Sequence, residues 1–496
     1  MMDQVTAEQA EPVRGPRATA HEGTPQLRRG LGIVSMLSIG VATVAPVVGL
    51  YSIFSLGMVT AGPWWIWPLL ISLGCQLLVA VVYAGLARRI PITGGPFQWA
   101  RRLVGPKYAW FTGVMYLIAV SAALTTVAYL AAPWMSNLFF GVTVTGPAAL
   151  LWSAGLLLLG LLINCQGLRV TKTVINIGIL CEVLASIALG IVLLLAFQHQ
   201  PWEVFAWETS QVIVGQPLEL IPAVMTALAV CGWAFVGFDA SASVVEEAHG
   251  SGATAAKAIV GATALVGGIV LMVAVAVILA TRDLPALTRG EVADPVLDAV
   301  TSNLGPMAEK PFLLLVAITF FACVLSMQTY LGRVYFAIAR EDALPAKLRL
   351  AQVSARTGIP VRAISAATVV ALCGLLLGLS DGAMGTMIRF GTGGLYIVFT
   401  LVVAAVVFAH VSGRWAPWRI GTKWQERWFS VISGAALLWL GCETINIAWP
   451  RPELAAPGAS PAEVWSVVWV FGGIALIALL ALLIARPHAR LRKLER

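Results

Sequence analysis

The sequence predicts an all-α integral membrane protein with twelve transmembrane helices, and three observations carry that expectation. Of its 496 residues 59% are hydrophobic and only 11% charged, with a mean hydropathy of +0.87, a balance foreign to soluble domains. Apolar runs of near membrane-spanning length recur along the whole chain. Lys and Arg gather in alternate loops, as in a chain threaded back and forth through a bilayer.

The runs lie near 32–57, 63–87, 108–137, 147–165, 173–197 and 219–247, then 258–281, 311–337, 361–380, 386–410, 428–449 and 463–485. They divide into a core, residues 32–410, and a C-terminal part, residues 411–486, that adds an interfacial segment and two helices. Residues 1–31 carry Pro, Gly, Glu and Arg without apolar periodicity and read as a disordered tail. The first run is too long, and starts too far along the chain, for a cleavable signal peptide. Residues 487–496 form a basic tail. With the N-terminus inside, only Arg282, Arg289, Lys310, Arg389 and Arg451 fall outside, leaving 27 of the 32 Lys and Arg on the inner side. That asymmetry predicts both termini in the cytoplasm and a multi-pass protein of the plasma or inner membrane. The net charge of +8 is thus a topology signal; no basic folded domain offers itself to nucleic acid.

Two of the runs are interrupted. Pro46 stands within Thr43 to Gly49, where it removes an amide and crowds the preceding turn. In the sixth run Gly232 and Gly237 weaken the helix, and Asp239, Glu246 and Glu247 follow. A charge at membrane depth costs roughly 2.5–3.5 kcal/mol on insertion scales, so it must face protein or water. A break there frees backbone groups that lipid cannot satisfy but a bound solute can. Runs one and six each open a block of five helices, 32–197 and 219–410. Five is odd, so the second block is expected to insert inverted, and paired breaks in inverted halves mark a transport site near the midplane.

Other stretches are read more simply. Pro91 to Pro96, with Gly94-Gly95 between the prolines, needs a tight turn on the basic side. Arg333 and Arg340 share one face of helix 8, to pair with Glu246 or Glu247 as an inner gate or to anchor lipid headgroups. A short lid helix is expected outside, near 294–304. Trp415, Trp418, Trp424 and Trp428 alternate with Arg414, Arg419, Lys423 and Arg427 and read as an interfacial belt. The seven Cys, without a CxxC, are expected to be small packing residues. The five His lack metal-ligand spacing and there is no phosphate-binding loop pattern, so no metal, cofactor or ATP machinery is expected.

Three of these stretches carry a resemblance. Gly237-Phe238-Asp239-Ala240 with Glu246-Glu247, Pro91-x-x-Gly94-Gly95, and Arg333-x-x-Phe336-Ala337-x-Ala339-Arg340-x-x-x-Leu344-Pro345 resemble the amino acid–polyamine–organocation superfamily of permeases. The Gly-Phe-Asp-Ala-Ser-Ala run is closest to its amino acid/choline transporter branch, and the segment order matches over roughly residues 30–486. The resemblance implies a five-plus-five inverted-repeat core with two added helices. It also implies that a substrate carboxylate meets amides of the helix 1 break, mapped here onto Ala45, Val47, Val48 and Gly49. The substrate ammonium would meet carbonyls of Ala234, Phe235 and Val236, at the end of the first half of helix 6. Helix ends favour ions of those signs. Two features depart from the family pattern: Pro46 stands where a Gly-x-Gly core is usual, and Ala248-His249-Gly250 replaces the prolines common after Glu247.

Single residues then take candidate roles. Glu182 lies inside helix 5 among Leu180, Cys181, Val183 and Leu184. In several similar permeases a Lys near this place stands in for a sodium ion. A Glu there could carry a coupling proton, attract a cationic substrate, or make a structural hydrogen bond to helix 1 or 8. Asp239 is expected to cap the second half of helix 6 rather than touch substrate. Trp233 and Phe235 flank the break, where aromatic faces either pack or hold an ammonium. Gln328, Ser121 and Thr125 are candidates for the pocket wall, and Glu443, outside the core, for a structural role. The resulting reading is a secondary active permease that moves amino acids across the plasma membrane, coupled to protons and working by alternating access. Cationic amines such as choline, ethanolamine or a polyamine are the alternative cargo, and a non-transporting nutrient sensor a lesser one. No nucleophile–base pair suggests an enzyme.

Overall fold

A computed structural model describes residues 32–215, 219–243, 245, 252–354, 357–379, 383–451, 454 and 458–492. The tail 1–31, the end of the basic tail, and Glu246 and Glu247 therefore lie outside the described residues. Everything described is helix, turn or connection, with no strand among those residues. In the bilayer each amide must be satisfied within its own helix, which selects this architecture from so apolar a chain.

The chain begins with α1 (Ile33–Val44) and α2 (Pro46–Ala61), two half-helices separated at Ala45. A 3₁₀ turn, Gly62–Trp65, leads into α3 (Ile66–Arg89), which ends in Arg88 and Arg89, cations suited to a helix C-terminus. Gly94, at φ 86°, makes the predicted turn into α4 (Gly95–Leu103). The long α5 (Pro106–Phe140) follows, then α6 (Gly146–Cys165) and α7 (Leu168–Glu182). A π-helical segment, Val183–Ala188, joins α7 to α8 (Leu189–Ala196). After the short α9 (Trp207–Val214) comes the second broken helix, α10 (Leu220–Cys231) and α11 (Ala240–Ser243). Then come α12 (Gly252–Ala280), the small α13 (Leu284–Thr288) and α14 (Pro295–Leu304), and α15 (Glu309–Arg340). The last long helices are α16 (Val361–Gly374), α17 (Met384–Val411), α18 (Lys423–Ala448) and α20 (Ser466–Ile484), with α19 (Pro461–Val464) and α21 (His488–Arg492) beside them.

Eleven stretches among the described residues are long and apolar enough to cross a membrane. The first, Met36–Arg89, covers 54 residues, more than twice the ~20 that one crossing needs, and contains the first two predicted runs. With this many apolar helices the molecule is a multi-pass membrane protein. The core forms where α5 packs against α15 and α17, and where α12 packs against α3 and α1. α18 and α20 lie outside it, against α3, α5 and α17.

Of the four tryptophans read as a surface belt, Trp424 and Trp428 are exposed, whereas Trp415 turns inward. Its indole N–H donates to Glu426 (2.9 Å), which also pairs with Arg89 at 2.7 Å. Arg89 lies over the Trp415 and Phe429 rings, so the 411–422 connection is pinned to the end of α3. Arg102 lies over Trp418.

Candidate functional site

The two helix breaks meet in the centre of the molecule. At the first, Ala45 takes φ 46°, a region that costs a residue with a Cβ, and its N–H still closes α1 on Val41 O (2.7 Å). Pro46 then opens α2 as its first residue, where a missing N–H does no harm. At the second, α10 tightens into a 3₁₀ turn, Gly232–Phe235, Val236 is extended, and Gly237 reverses the chain at φ 100°. Only glycine adopts that backbone freely.

Close contacts lock the breaks together. A Cβ on Gly49 would come within 3.0 Å of Ala234 Cα, and one on Gly237 within 3.3 Å of the Thr43 carbonyl oxygen. Between them lies a cavity of ≈ 20 Å³, room for about one water molecule. Thr43, Val44 and Val48 line it from helix 1, and Trp233, Val236 and Gly237 from helix 6. Its remaining walls are Ala123 and Val127 of α5, Met327 of α15 and Leu395 of α17. Ala45, Ala234 and Phe235 are buried beside it.

Two clusters of aromatic side chains pack around the broken helices. Towards one end Tyr51, Trp134, Phe312 and Phe320 stand with ring centres 6.0–6.3 Å apart. Towards the basic end Tyr83, Trp99, Phe238 and Phe399 do the same at 5.1–5.5 Å.

Glu182 reaches the first break. Its Oε1 accepts from the Val47 N–H at 2.6 Å, so a carboxylate sits on the N-terminal end of α2, where helix amides favour an anion. One residue further on, the π-helical segment of helix 5 offers a second link, in which the Tyr51 hydroxyl donates to the Ala185 carbonyl. π-bulges of this kind occur often at functional sites. Thr43 Oγ1 meets Ser326 Oγ (3.0 Å) on α15 nearby. Of the roles open to Glu182, the hydrogen bond to helix 1 is the one this structure makes, and its partner is the break itself.

The same geometry shows what the amides expected to form a carboxylate cradle bond to in this structure. Of the four amides assigned to it, three are engaged inside the protein: Ala45 on Val41 O, Val47 on Glu182 and Gly49 on Ala45 O (2.8 Å).

Asp239 behaves differently from its expected role as a cap. The Ala242 N–H is taken by the main-chain oxygen of Asp239 (2.9 Å), and the carboxylate is held by side chains of other helices. Its Oδ2 accepts from Tyr116 of α5 (2.8 Å) and from Tyr330 of α15, and the two hydroxyls touch each other. Two long helices and the second half of helix 6 are thereby tied at one buried point.

Gln328 is turned away from the cavity. Its Nε2 donates to Leu157 O of α6 (2.8 Å) and to Thr368 of α16 (3.2 Å), and its Oε1 accepts from Asn164. Thr125 likewise bonds Ala371 O of α16, and Ser121 bonds Leu117 O within its own helix. Trp233 does line the cavity. Glu443 accepts from Asn446 (3.2 and 3.3 Å), which in turn donates to Met225 O of α10. Arg340 lies over the Phe336 ring, and Arg333 sits one face-repeat earlier on α15; their predicted partners Glu246 and Glu247 are not among the described residues. The end of α15 is clamped instead through Glu341, which pairs with Arg101 at 2.6 Å and accepts from Gln98 (3.1 Å) of α4.

Sequence reading missed Tyr51, Tyr116 and Tyr330, as well as the cavity walls Ala123, Val127, Met327 and Leu395. A tyrosine in mid-membrane needs a partner for its hydroxyl, and that was the available signal. The four apolar walls carry no signal at all. On the connection outside the spans, Asp294 caps α14 through Leu297 N (3.0 Å). Burial pushes its carboxyl up to about 7 against the pull of the Leu297 and Val296 amides.

A cavity between two broken helices is an arrangement in which membrane transporters build their sites. The sequence model of the amino acid permease family matches residues 31–480, and the chain belongs to that family. Membership indicates a transporter rather than an enzyme. The chain is similar to an amino-acid permease of Arabidopsis thaliana, 22% identical over 91% of this chain and 90% of the relative. It is also similar to the choline transporter of Saccharomyces cerevisiae, 25% identical over 75% of this chain and 68% of that protein. A branched-chain amino acid permease of Bacillus subtilis is 22% identical over 87% of this chain and 90% of its own length.

Proposed function

We propose that this protein is a proton-coupled secondary transporter that moves amino acids across the plasma membrane by alternating access. The observation that carries the reading is the Glu182–Val47 contact of 2.6 Å. Glu182 holds the helix end that the resemblance assigns to a substrate carboxylate. Protonation of Glu182 removes its negative charge and releases the Val47 amide, and the amino acid's carboxylate takes its place. One proton and one zwitterion then enter together. The ammonium is received at the Ala234, Phe235 and Val236 carbonyls, with Trp233 over it, and opening alternates between the two sides of the membrane.

The twelve-crossing, inverted-repeat arrangement belongs to this proposal, and the packing supports it. Exchanging each helix of 32–197 with its counterpart in 219–410 maps the α5–α17 contact onto α15–α7, and α5–α6 onto α15–α16. It also maps α5–α16 onto α15–α6. The basic end, with Arg88, Arg89, Arg101 and Arg340, is assigned to the cytosol on charge asymmetry.

A second reading, transport of a cationic amine without a carboxylate, rests on a specific observation. Pro46 has no N–H, and the Ala45, Val47 and Gly49 amides are already engaged. In that case Glu182 stays charged and serves as the counter-ion. The deciding experiment is uptake of labelled amino acids, choline and polyamines into proteoliposomes with and without an inward proton gradient. A gradient-driven amino acid flux whose pH dependence vanishes in Glu182→Gln supports the first reading. Amine uptake that Glu182→Gln abolishes supports the second, and no flux of either kind sinks both.

A further inference from the structure

A crevice of ≈ 610 Å³ opens between α5, α6, α7 and α15, away from the helix breaks. Ligand pockets typically measure about 300–1,000 Å³, so this one has room for an occupant. Every side chain lining it is apolar. On α6, Leu151, Gly155 and Leu159 stand four residues apart and share one face. The two leucines are 77% and 48% exposed, and a Cβ on Gly155 would meet nothing within 4 Å. Gly155 is therefore a notch between two leucines, on the lipid side of a helix apolar enough to cross the membrane.

A cation marks one end of the crevice. Leu138 and Phe139 line it at the end of α5, and Lys310 Nζ donates to the Asn137 and Leu138 carbonyls (3.1 and 3.2 Å). Lys310 is exposed, and its ammonium carries a third N–H beyond those two bonds. At the same end Trp152 stacks on Phe139, with ring centres 5.9 Å apart. A tryptophan beside a lysine is the usual anchor at a membrane–water interface. Lys310 opens α15, whereas Arg340 closes it at the arginine-rich end. From Lys310 down to Phe321, the deepest lining residue of α15, the helix descends about 16 Å at ~1.5 Å per residue. Half of a bilayer's hydrocarbon core is about 15 Å. The crevice is thus one leaflet deep, running from headgroup level to the midplane.

We propose that this crevice binds one glycerophospholipid of the leaflet opposite the arginine-rich end, with an acyl chain between α6 and α15 and its phosphate on Lys310. A slot of leaflet depth without polar groups suits a hydrocarbon chain, and the lysine at its mouth suits a phosphate. A second copy of this chain fits the face poorly. Membrane helices approach one another over small residues four apart, whereas this face of α6 reads leucine, glycine, leucine. The bound chain lies against the contact between α7 and α15, where a Cβ on Gly178 would fall 2.1 Å from Ala322 Cβ. Glu182 follows Gly178 by one helical turn, and Met327 of the cavity wall lies further along α15. The lipid therefore supports the two helices that bring Glu182 and Met327 to the centre.

The test reads lipid binding and needs no substrate, so its outcome is independent of the transport reading. Detergent-purified full-length protein is titrated with palmitoyl-oleoyl-phosphatidylglycerol and followed by native mass spectrometry. One lipid is expected to bind several-fold more tightly than those that follow it. Gly155→Phe, whose ring enters the open notch, should abolish that first step. Lys310→Gln keeps a donor for the two carbonyls but loses the charge, and should weaken the first step about fivefold, the share of one lysine beside a lipid surface. Palmitoyl-oleoyl-glycerol, with the same chains and no phosphate, should bind wild type no better than the phospholipid binds Lys310→Gln. Equal binding by wild type and Gly155→Phe, or no tight first step, overturns the proposal. So does a diacylglycerol that matches the phospholipid on wild type. A wild-type dimer that Gly155→Phe splits assigns the crevice to a second copy and also overturns it.

Discussion

Glu182 and Val47 are 135 residues apart in the chain, yet the carboxylate of one accepts from the amide of the other at 2.6 Å. Through this bond helix 5 supplies the charge at the opened end of helix 1. Glu182→Leu leaves the Val47 N–H buried and unpaired, at an expected cost of about 1–3 kcal/mol. Glu182→Gln keeps an acceptor and is expected to retain most of that stability. Thermal unfolding in detergent compares the two; a leucine variant as stable as wild type would show that the bond is not made.

Gly237 sets the reversal of helix 6. Its φ of 100° is one that L side chains rarely adopt, and a Cβ there would press within 3.3 Å of the Thr43 carbonyl oxygen. Gly237→Ala is expected to lose about 1–2 kcal/mol from backbone conformation alone. Uptake should fall with it, because the two breaks can no longer close on each other. Wild-type uptake and unchanged Tm in this variant would mean that the two breaks do not meet as described.

Asp239 holds Tyr116 and Tyr330 through a single carboxylate oxygen. Tyr116→Phe and Tyr330→Phe are each expected to destabilise by about 1–3 kcal/mol. Because they share one acceptor and touch each other, the double variant should differ from the sum of the singles by more than about 0.5 kcal/mol. A double-mutant cycle read by denaturant or thermal unfolding measures the difference. Strict additivity would separate the two hydroxyls.

Asp294 gives the external segment a pH dependence. Burial raises its folded-state pKa to about 7, above its ordinary 3.8, so the folded protein binds the proton more tightly than the unfolded chain. The contribution to stability is complete below about 3.8 and is lost as pH rises through about 7. Hydrogen exchange across α13 and α14, corrected for intrinsic rates, should show protection falling over that window. Asp294→Asn should flatten it, and an unchanged slope in the variant would assign the effect elsewhere.

Glu426 collects Arg89, the Trp415 indole and the Ile420 N–H around one carboxylate. Glu426→Ala takes the carboxylate from the part-buried Arg89, which keeps the Gly85 and Trp418 carbonyls, and should cost about 1–3 kcal/mol. Proteolysis of the 411–422 connection should become faster in that variant. Cleavage at the wild-type rate would make Trp415 a surface anchor after all.

Much of the architecture is legible in the sequence because it rests on covalent and local constraints. Apolar length marks the spans, Pro46 removes a donor wherever the chain goes, and Gly237 permits a φ that few residues tolerate. Gly94-Gly95 gives its turn for the same reason. The two breaks were therefore readable without knowing what lay across from them.

The orientation of side chains around each helix was not. In a soluble helix an apolar stripe marks the buried face, but in a membrane the lipid side is as apolar as the core, so periodicity does not distinguish them. Hence Gln328, expected in the pocket wall, turns to α6 and α16, while Ala123, Val127, Met327 and Leu395 form the wall unannounced. Asp239 has the composition of a cap, yet two tyrosines from distant helices hold its carboxylate. The sequence by itself determined where the backbone opens; the tertiary structure decided what meets the opening, because freed amides and buried carboxylates take the partners that packing brings within about 3 Å.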